Sequence, residues 1–242
     1  MSIKVQNLTK SFRDKKVLNG VSFEVADGET LAIVGFSGSG KSTILKLICN
    51  LTTPDSGTIT TSEGDIAMSF QYSALFDSLN VEDNIAFALR ERKDLKNKFT
   101  EKEIKKKVSE KLKMVGLEGI ETKFPHELSG GMQKRVSFAR AIITDPTIIL
   151  YDEPTAGLDP VSSTIIEDYI VTLKNELKAT SIVVTHQMST ILRTADKVIM
   201  LYDGNIVFEG TKEEFLQQDN EYTKQFITAS IEGPMKVQAK EF

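Results

Sequence analysis

The chain has 242 residues, 40% of them hydrophobic and 26% charged, proportions that fit a globular protein with material for a sizeable core. Its formal net charge of -4 argues against nucleic acid as the main partner, because phosphate backbones are normally held by basic domains. No apolar run approaches the roughly 18 residues needed to cross a bilayer, and the opening residues lack a basic or apolar leader, so the expected location is cytoplasmic.

In chain order, residues 1–29 alternate: Ile3, Val5 and Leu8, then Val17, then Val21, Phe23 and Val25 before an Asp27-Gly28 turn. This pattern predicts antiparallel strands. Phe12 falls between them, where it serves either as edge packing or as a ring able to stack on a purine base.

The apolar run Thr30 to Val34 then feeds Gly35-Phe36-Ser37-Gly38-Ser39-Gly40-Lys41-Ser42, which fits the pattern G-x-x-x-x-G-K-[ST]. Its glycines let consecutive backbone N–H groups curl around a di- or triphosphate. Lys41 is placed to reach the β and γ phosphates, and the Ser42 hydroxyl to ligate Mg2+. Ile44, Leu45, Leu47 and Ile48 follow at helical spacing over residues 42–50, so a helix N-terminus, with its N–H groups and partial positive charge, faces the same anion. The single cysteine, Cys49, lies on the apolar side of that helix and reads as a buried structural thiol.

After a turn at residues 53–57, residues 65–71 form a short strand ending in Gln71, either a surface residue or a sensor of the γ phosphate. From Asn80 the period becomes helical. Asn80 is the N-cap with Asp83 three residues on, and Val81, Ile85 and Leu89 share a face. A second helix carries Ile104, Val108, Leu112 and Val115. Its other face holds Lys102, Lys105, Lys106, Lys107, Lys111 and Lys113, either solvated or facing anionic lipid headgroups. Residues from about 72 to about 128 thus read as a helical insertion.

Ser129 caps a further helix opened by Gly130 and Gly131, with Met132, Val136, Ala139 and Ile143 along its inner stripe. That start is a plain loop or a second anion site, the latter if two copies of the chain face each other. Residues 147–153 are a continuous apolar run ending in Asp152 and Glu153, as expected of a central parallel strand. Asp152 is suited to hold Mg2+ through water, and Glu153 to orient and polarise an attacking water. Asp159-Pro160 start a helix with Ile166, Ile170, Leu173 and Leu177 inward. Residues 180–186 form another buried strand, and His186 at its carboxyl end is placed to contact the γ phosphate. Asp203-Gly204 predicts a hairpin, and a polar helix follows from about residue 210 before a tail that reads as frayed.

With Gly35 to Ser42, Gln71, Leu128-Ser129-Gly130-Gly131, Asp152-Glu153, Ala156-Gly157-Leu158-Asp159 and His186 in order, the chain resembles the ATPase subunits of ABC transporters over nearly its whole length. The resemblance implies an α/β fold: a P-loop NTPase core of RecA-like type with a mainly parallel sheet, an N-terminal antiparallel β subdomain and an inserted helical subdomain. The division it implies is 1–71 with 146–210 as the ATP-binding core, 72–145 as the helical subdomain, and 211–242 as a C-terminal helix and tail able to contact a dimer partner. ATP and Mg2+ are the implied cofactors. Phe12 and Val17 would contact the adenine, Gly35, Ser37, Gly38, Ser39, Gly40, Lys41, Ser42 and Thr43 the phosphates, and Ser42, Gln71 and Asp152 the metal. Glu153, His186 and Gln71 would serve hydrolysis. A second copy would close head to tail, so that Ser129, Gly130 and Gly131 cap the γ phosphate held by the partner's Lys41, with Asp159 at that interface.

Residues 71–81, the continuation after Gly131, residues 151–160 and the tail from Gln225 through Pro234 are similar to the lipid-transport branch, the ATPases of bacterial Mla and related MCE systems. Met132 stands where the commonest ABC signature has Gln, a departure shared with that branch. The implied partners are a transmembrane permease, in two copies, and an MCE-type lipid-binding protein. The implied place is the cytoplasmic face of the inner membrane, with membrane contact through the permease and no nucleic acid. An importer of amino acids or other small polar solutes is the second reading. A soluble ABC ATPase is the third, and it usually carries two cassettes or a long coiled-coil insertion that this chain lacks.

Overall fold

The computed structural model describes residues 2–70 and 73–236. In chain order these form β1 (Ile3–Phe12), β2 (Lys15–Val25), β3 (Thr30–Val34), α1 (Lys41–Ile48), β4 (Ser56–Thr61) and β5 (Ile66–Ser69). Then come α2 (Val81–Glu91), α3 (Glu101–Met114), α4 (Gly130–Ala141), β6 (Ile148–Asp152), α5 (Pro160–Leu177) and β7 (Thr180–Val184). The last elements are α6 (Met188–Thr194), β8 (Lys197–Tyr202), β9 (Asn205–Thr211), α7 (Lys212–Gln217) and α8 (Glu221–Ile227). They fall into two compact units, Met1–Ser62 with Ile182–Phe242, and Glu63–Ser181.

The first unit contains the antiparallel sheet, in the order β2-β1-β4. Ile3, Val5, Leu8, Val21, Phe23 and Val25 are all buried, as the alternation predicts. The strand β1 runs on through Phe12, which pairs with Lys15 across a tight turn in which Arg13 has φ 52. Phe12 therefore ends a strand instead of lying between two. The same unit holds β3 between β7 and β8, with Leu31 opposite Lys197 in a parallel ladder and β9 antiparallel at the edge. Leu31, Ala32, Ile33 and Val34 are fully buried, the condition of a parallel strand covered on both faces. The Asp203-Gly204 turn, with φ 47 and 73, matches the two-residue hairpin expected there.

The tail is folded down onto this unit as far as residue 236. The Gln225 side-chain amide donates to Met235 O at 2.9 Å and accepts from Met235 N at 2.8 Å, and the Met235 side chain is fully buried with Val34, Met200 and Phe215. Frayed tails lack such partners. Cys49 caps the C-terminal end of α1 and is half-buried instead of buried; desolvation still pushes its thiol pKa up to about 11, as suits a structural cysteine.

In the second unit β5 runs parallel to β6, Ile66 opposite Ile148. The three helices α2, α3 and α4 bury Ile85, Leu89, Ile104, Val108, Leu112, Val136 and Ala139 against one another. Asn80 accepts from Asp83 N at 2.8 Å and so caps α2 as its position predicts. The lysine face of α3 is less uniform than its spacing suggests. Lys111 is buried and pairs with Asp145, which Lys107 also reaches at 3.1 Å. The remaining lysines of that face are exposed.

Arg92, at the C-terminal end of α2, grips Asp65 with both guanidinium arms at 2.7 and 3.0 Å, fastening the helical stretch to the start of β5. The hydrogen bonds from Arg92 hold the Asp65 carboxyl below the usual carboxylate range, against the opposing effect of burial. A depressed carboxylate contributes stability above its unfolded pKa of about 3.9, and that contribution disappears as pH falls through the folded value. Asp65→Asn is expected to lower stability by about 1 kcal/mol at pH 7, the upper end for a solvent-screened pair. The gap to wild type should close on acidification below pH ~4. Urea midpoints at pH 7 and in the acid range check this, and a gap that stays constant with pH would remove the ion pair as its cause.

Candidate functional site

The loop between β3 and α1 is shaped by steric exclusion. Gly35 has φ 142, and a Cβ there would lie 2.3 Å from the Leu201 carbonyl oxygen, so any side chain would displace backbone. Gly40 has φ 102, and its Cβ would meet Leu18 Cδ2 at 2.9 Å and Val17 O at 3.0 Å. Only glycine meets both conditions without strain. Gly40 is also the N-cap of α1, with no side chain capping it and no acidic residue in the first turn. A helix start without a cap or carboxylate suits an external anion.

Lys41 is only 7% exposed, and its ammonium folds back to donate to Gly35 O at 2.8 Å and Phe36 O at 3.0 Å. Inside the same loop the Ser39 hydroxyl oxygen is buried with no hydrogen-bond partner among the described residues. Together, a buried cation, an orphaned hydroxyl and backbone with no room for side chains fit a polyphosphate ligand. Ser37 and Gly38 are exposed at the tip, while Ser42 and Thr43 are half-buried in the first turn of α1.

The other candidates in this unit lie on elements that frame the loop. Val17 is half-buried on β2, with its carbonyl against Gly40. Phe12 is 49% exposed, with Lys10 Nζ 5.3 Å from its ring centre. His186 is exposed two residues beyond β7. Thr185 N donates to Ile33 O at 3.2 Å, bringing the carboxyl ends of β7 and β3 side by side, so His186 leaves the sheet at the same end as the Gly35–Ser42 loop.

The second unit gathers the remaining candidates. Ser129 caps α4, its hydroxyl accepting from Met132 N at 3.3 Å. Among the described residues, Gly130 has open space where a Cβ would be, and Gly131 faces only the Ser162 hydroxyl, 3.9 Å from such an atom. Asp159 caps α5, accepting from Val161 N and Ser162 N at 3.0 Å and from the Ser162 hydroxyl at 2.6 Å. The Ser162 hydroxyl in particular keeps the Asp159 carboxyl below its usual range. Asp152 ends β6 and is nearly buried, and Glu153 follows it at φ 47, a left-handed conformation that is sparse for a residue with a side chain. Gln71 lies outside the described residues.

Three further residues of α4 stand out only in the structure. Gln133 donates to Pro125 O at 2.9 Å, Arg135 to Val115 O at 3.3 Å, and Lys134 to Pro154 O at 3.1 Å and Ala156 O at 2.7 Å. Burial pushes the Lys134 ammonium below the usual lysine range, against the pull of the Glu153 carboxylate. A run of Gln-Lys-Arg on a helix reads as solvated, and the only available hint was its place directly after Gly130-Gly131-Met132.

A family model described as ABC transporter matches residues 18–156, more than half of the chain. A chloroplastic protein of Arabidopsis thaliana, TRIGALACTOSYLDIACYLGLYCEROL 3, is 42% identical over 97% of this chain and 75% of its own length. The probable ribonucleotide transport ATP-binding protein mkl of Mycobacterium leprae is 38% identical over 97% of this chain and 71% of its own. The intermembrane phospholipid transport system ATP-binding protein MlaF of Haemophilus influenzae is 37% identical over 97% and 93%. Among solved structures, the dimeric post-hydrolysis state of the ATP-binding cassette MJ0796 with ADP and Pi superposes with TM-score 0.77 at 31% identity, over 87% of this chain and 98% of that one. With the strand-loop-helix cradle and the β6 carboxylates in place, these matches settle the family: the chain belongs to the ABC transporter family and is one of its ATPases.

Proposed function

We propose that this chain is the ATP-hydrolysing motor of a phospholipid transporter, working on the cytoplasmic face of a membrane beside a separate permease. The observation that carries the ATP-driven part is the Gly35–Ser42 loop, closed to side chains at Gly35 and Gly40 and holding the Lys41 ammonium ready on its own carbonyls. The phospholipid part is supported by the MlaF relative, whose name states that cargo. No helix among the described residues is long and apolar enough to cross a membrane, which fits a motor that borrows its transmembrane path from a partner. The ribonucleotide named for mkl keeps a second reading in view, a transporter of small polar solutes.

In this reading the first unit binds ATP. The loop amides and Lys41 take the phosphates, with Ser37, Ser39 and Thr43 adding donors, while Phe12 and Val17 lie against the adenine. His186 takes the γ phosphate. Ser42, Asp152 and Gln71 carry the oxygen donors that suit Mg2+, a hard cation, whose charge would neutralise that of the transferring phosphoryl group. Glu153 accepts a proton from the attacking water. Ser129, Gly130 and Gly131 open α4, where Gly130 and Gly131 add no bulk, and a helix start of this kind suits a cap on the nucleotide of a second copy, with Asp159 at the same contact. The proposed domain division is residues 1–71 and 146–210 as the ATP-binding core, 72–145, with α2, α3 and α4, as the helical subdomain, and 211–242 as a C-terminal element able to contact a dimer partner; the compact units of the fold divide the chain differently, grouping 63–71 and 146–181 with the helices. Two permease copies and an MCE-type lipid-binding protein complete the assembly.

Purification from the native membrane in mild detergent should bring down a multi-span permease with an MCE-type protein and phospholipid, identified by mass spectrometry. A solute permease without enriched lipid would instead support the second reading. Glu153→Gln should cut turnover by about a hundredfold or more while ATP still binds, as measured by single-turnover hydrolysis and equilibrium binding. Turnover near wild type in that variant would sink the general-base assignment. Ser129→Ala should lower kcat by about tenfold or more without changing ATP affinity in dilute chain. A collapse of that affinity would mean Ser129 serves its own chain's nucleotide.

A further inference from the structure

Lys134 sits in the second turn of α4, the helix that Ser129 caps and that Gly130 and Gly131 begin. Its ammonium donates to two carbonyls of a single turn, Pro154 O and Ala156 O. That turn is closed by its own backbone, Ala156 N donating to Glu153 O at 3.1 Å and Leu158 N to Thr155 O at 3.2 Å, and it leads from Glu153 to the α5 cap at Asp159. Glu153 enters it at φ 47. For a residue with a side chain, such a conformation is strained and persists only where its surroundings impose it. The Phe138 ring packs edge-on against Tyr151 at 5.6 Å, so an apolar contact and a polar one both join α4 to the segment bearing Asp152 and Glu153.

A lysine placed for solubility keeps its ammonium in water and lays only its stem on the protein. Lys134 does the reverse. It is half-buried, and its charge is desolvated, yet it is matched by two carbonyl acceptors, a stronger arrangement than neutral hydrogen bonds would provide. Those acceptors lie one and three residues beyond Glu153, so the lysine fixes the backbone that aims the carboxylate.

We infer that Lys134 is a positioning residue for ATP hydrolysis: through the carbonyls of Pro154 and Ala156 it holds the turn that sets Glu153, and it fastens that turn to the helix starting at Ser129. The inference rests on Glu153 being the base that activates water. Lys134 acts through the two backbone carbonyls it holds, and its effect is geometric, where a displacement of ~1 Å is enough to cost roughly a hundredfold in rate.

The test uses the full chain, with steady-state ATP hydrolysis, equilibrium ATP binding and thermal melting compared among wild type, Lys134→Met, Lys134→Arg and Glu153→Gln. Lys134→Met is expected to lower kcat about tenfold or more, with KM for ATP, binding affinity and Tm close to wild type. Lys134→Arg, whose guanidinium also spans two carbonyls, is expected to recover most of the lost rate. Wild-type kcat in Lys134→Met alongside an inactive Glu153→Gln overturns the inference and leaves the base assignment standing. A joint fall of kcat, ATP affinity and Tm in Lys134→Met, with no recovery in Lys134→Arg, also overturns it, because the lysine would then only hold the fold together. An active Glu153→Gln removes the base itself, and the positioning role with it.

Discussion

The constraint on which the rest of the structure depends is the close approach of backbone to backbone at Gly35. A carbonyl oxygen of β8 occupies the space a side chain would need, so the loop leaving β3 is pressed flat against its neighbouring strand. Gly40 repeats the constraint against Val17 and Leu18 at the other end of the loop. Between these two points the chain has no freedom to fill its own concavity. The loop closes on itself through Ser39 N donating to Phe36 O at 3.2 Å, and the lysine that would otherwise repel the helix start is parked on the Gly35 and Phe36 carbonyls. The antiparallel sheet and the β8–β9 hairpin act as walls around this loop as much as they act as core.

The second unit solves a different problem, how to hold polar groups at defined positions on loops. Its solution is capping: Asn80, Ser129 and Asp159 each accept backbone N–H groups at a helix start. Residues Gln133, Lys134 and Arg135 of one helix each reach backbone carbonyls of a different loop. A loop whose backbone acceptors are occupied by side chains from a packed helix gains definition without adding bulk of its own.

Most of this was legible in the sequence because it depends on neighbours a few residues apart. The strand-loop-helix order around Lys41, the capping residues, the mainly apolar and fully buried β3, β6 and β7, and the Asp203-Gly204 hairpin are all short-range signals. Features that depend on a distant partner were not legible. Lys111 looks like its neighbours on a solvated face until Asp145 arrives beside it. The tail reads as polar and glycine-bearing, yet Met235 finds an apolar slot among residues from β3 to α7, with Gln225 pairing to its backbone. Lys134 belongs with these, since its two acceptors lie on a loop twenty residues on. Phe12 lies within β1 instead of between strands for a smaller reason: the left-handed Arg13 tightens the turn and lets the strand continue through Lys10, Ser11 and Phe12.

The unit that holds the cradle is discontinuous, assembled from Met1–Ser62 and Ile182–Phe242, and β3 pairs with a strand that begins at Lys197. A ribosome making roughly 5–20 residues per second therefore exposes the whole Gly35–Ser42 motif for on the order of 10 to 30 s before the strand that presses Gly35 into shape has been made. The second unit, continuous in sequence, is complete before then. During synthesis the nascent chain thus carries the whole motif without the strand that shapes it. ATP can assist the folding of this unit only once the strand from Lys197 has been made and closes against a loop more than 150 residues upstream.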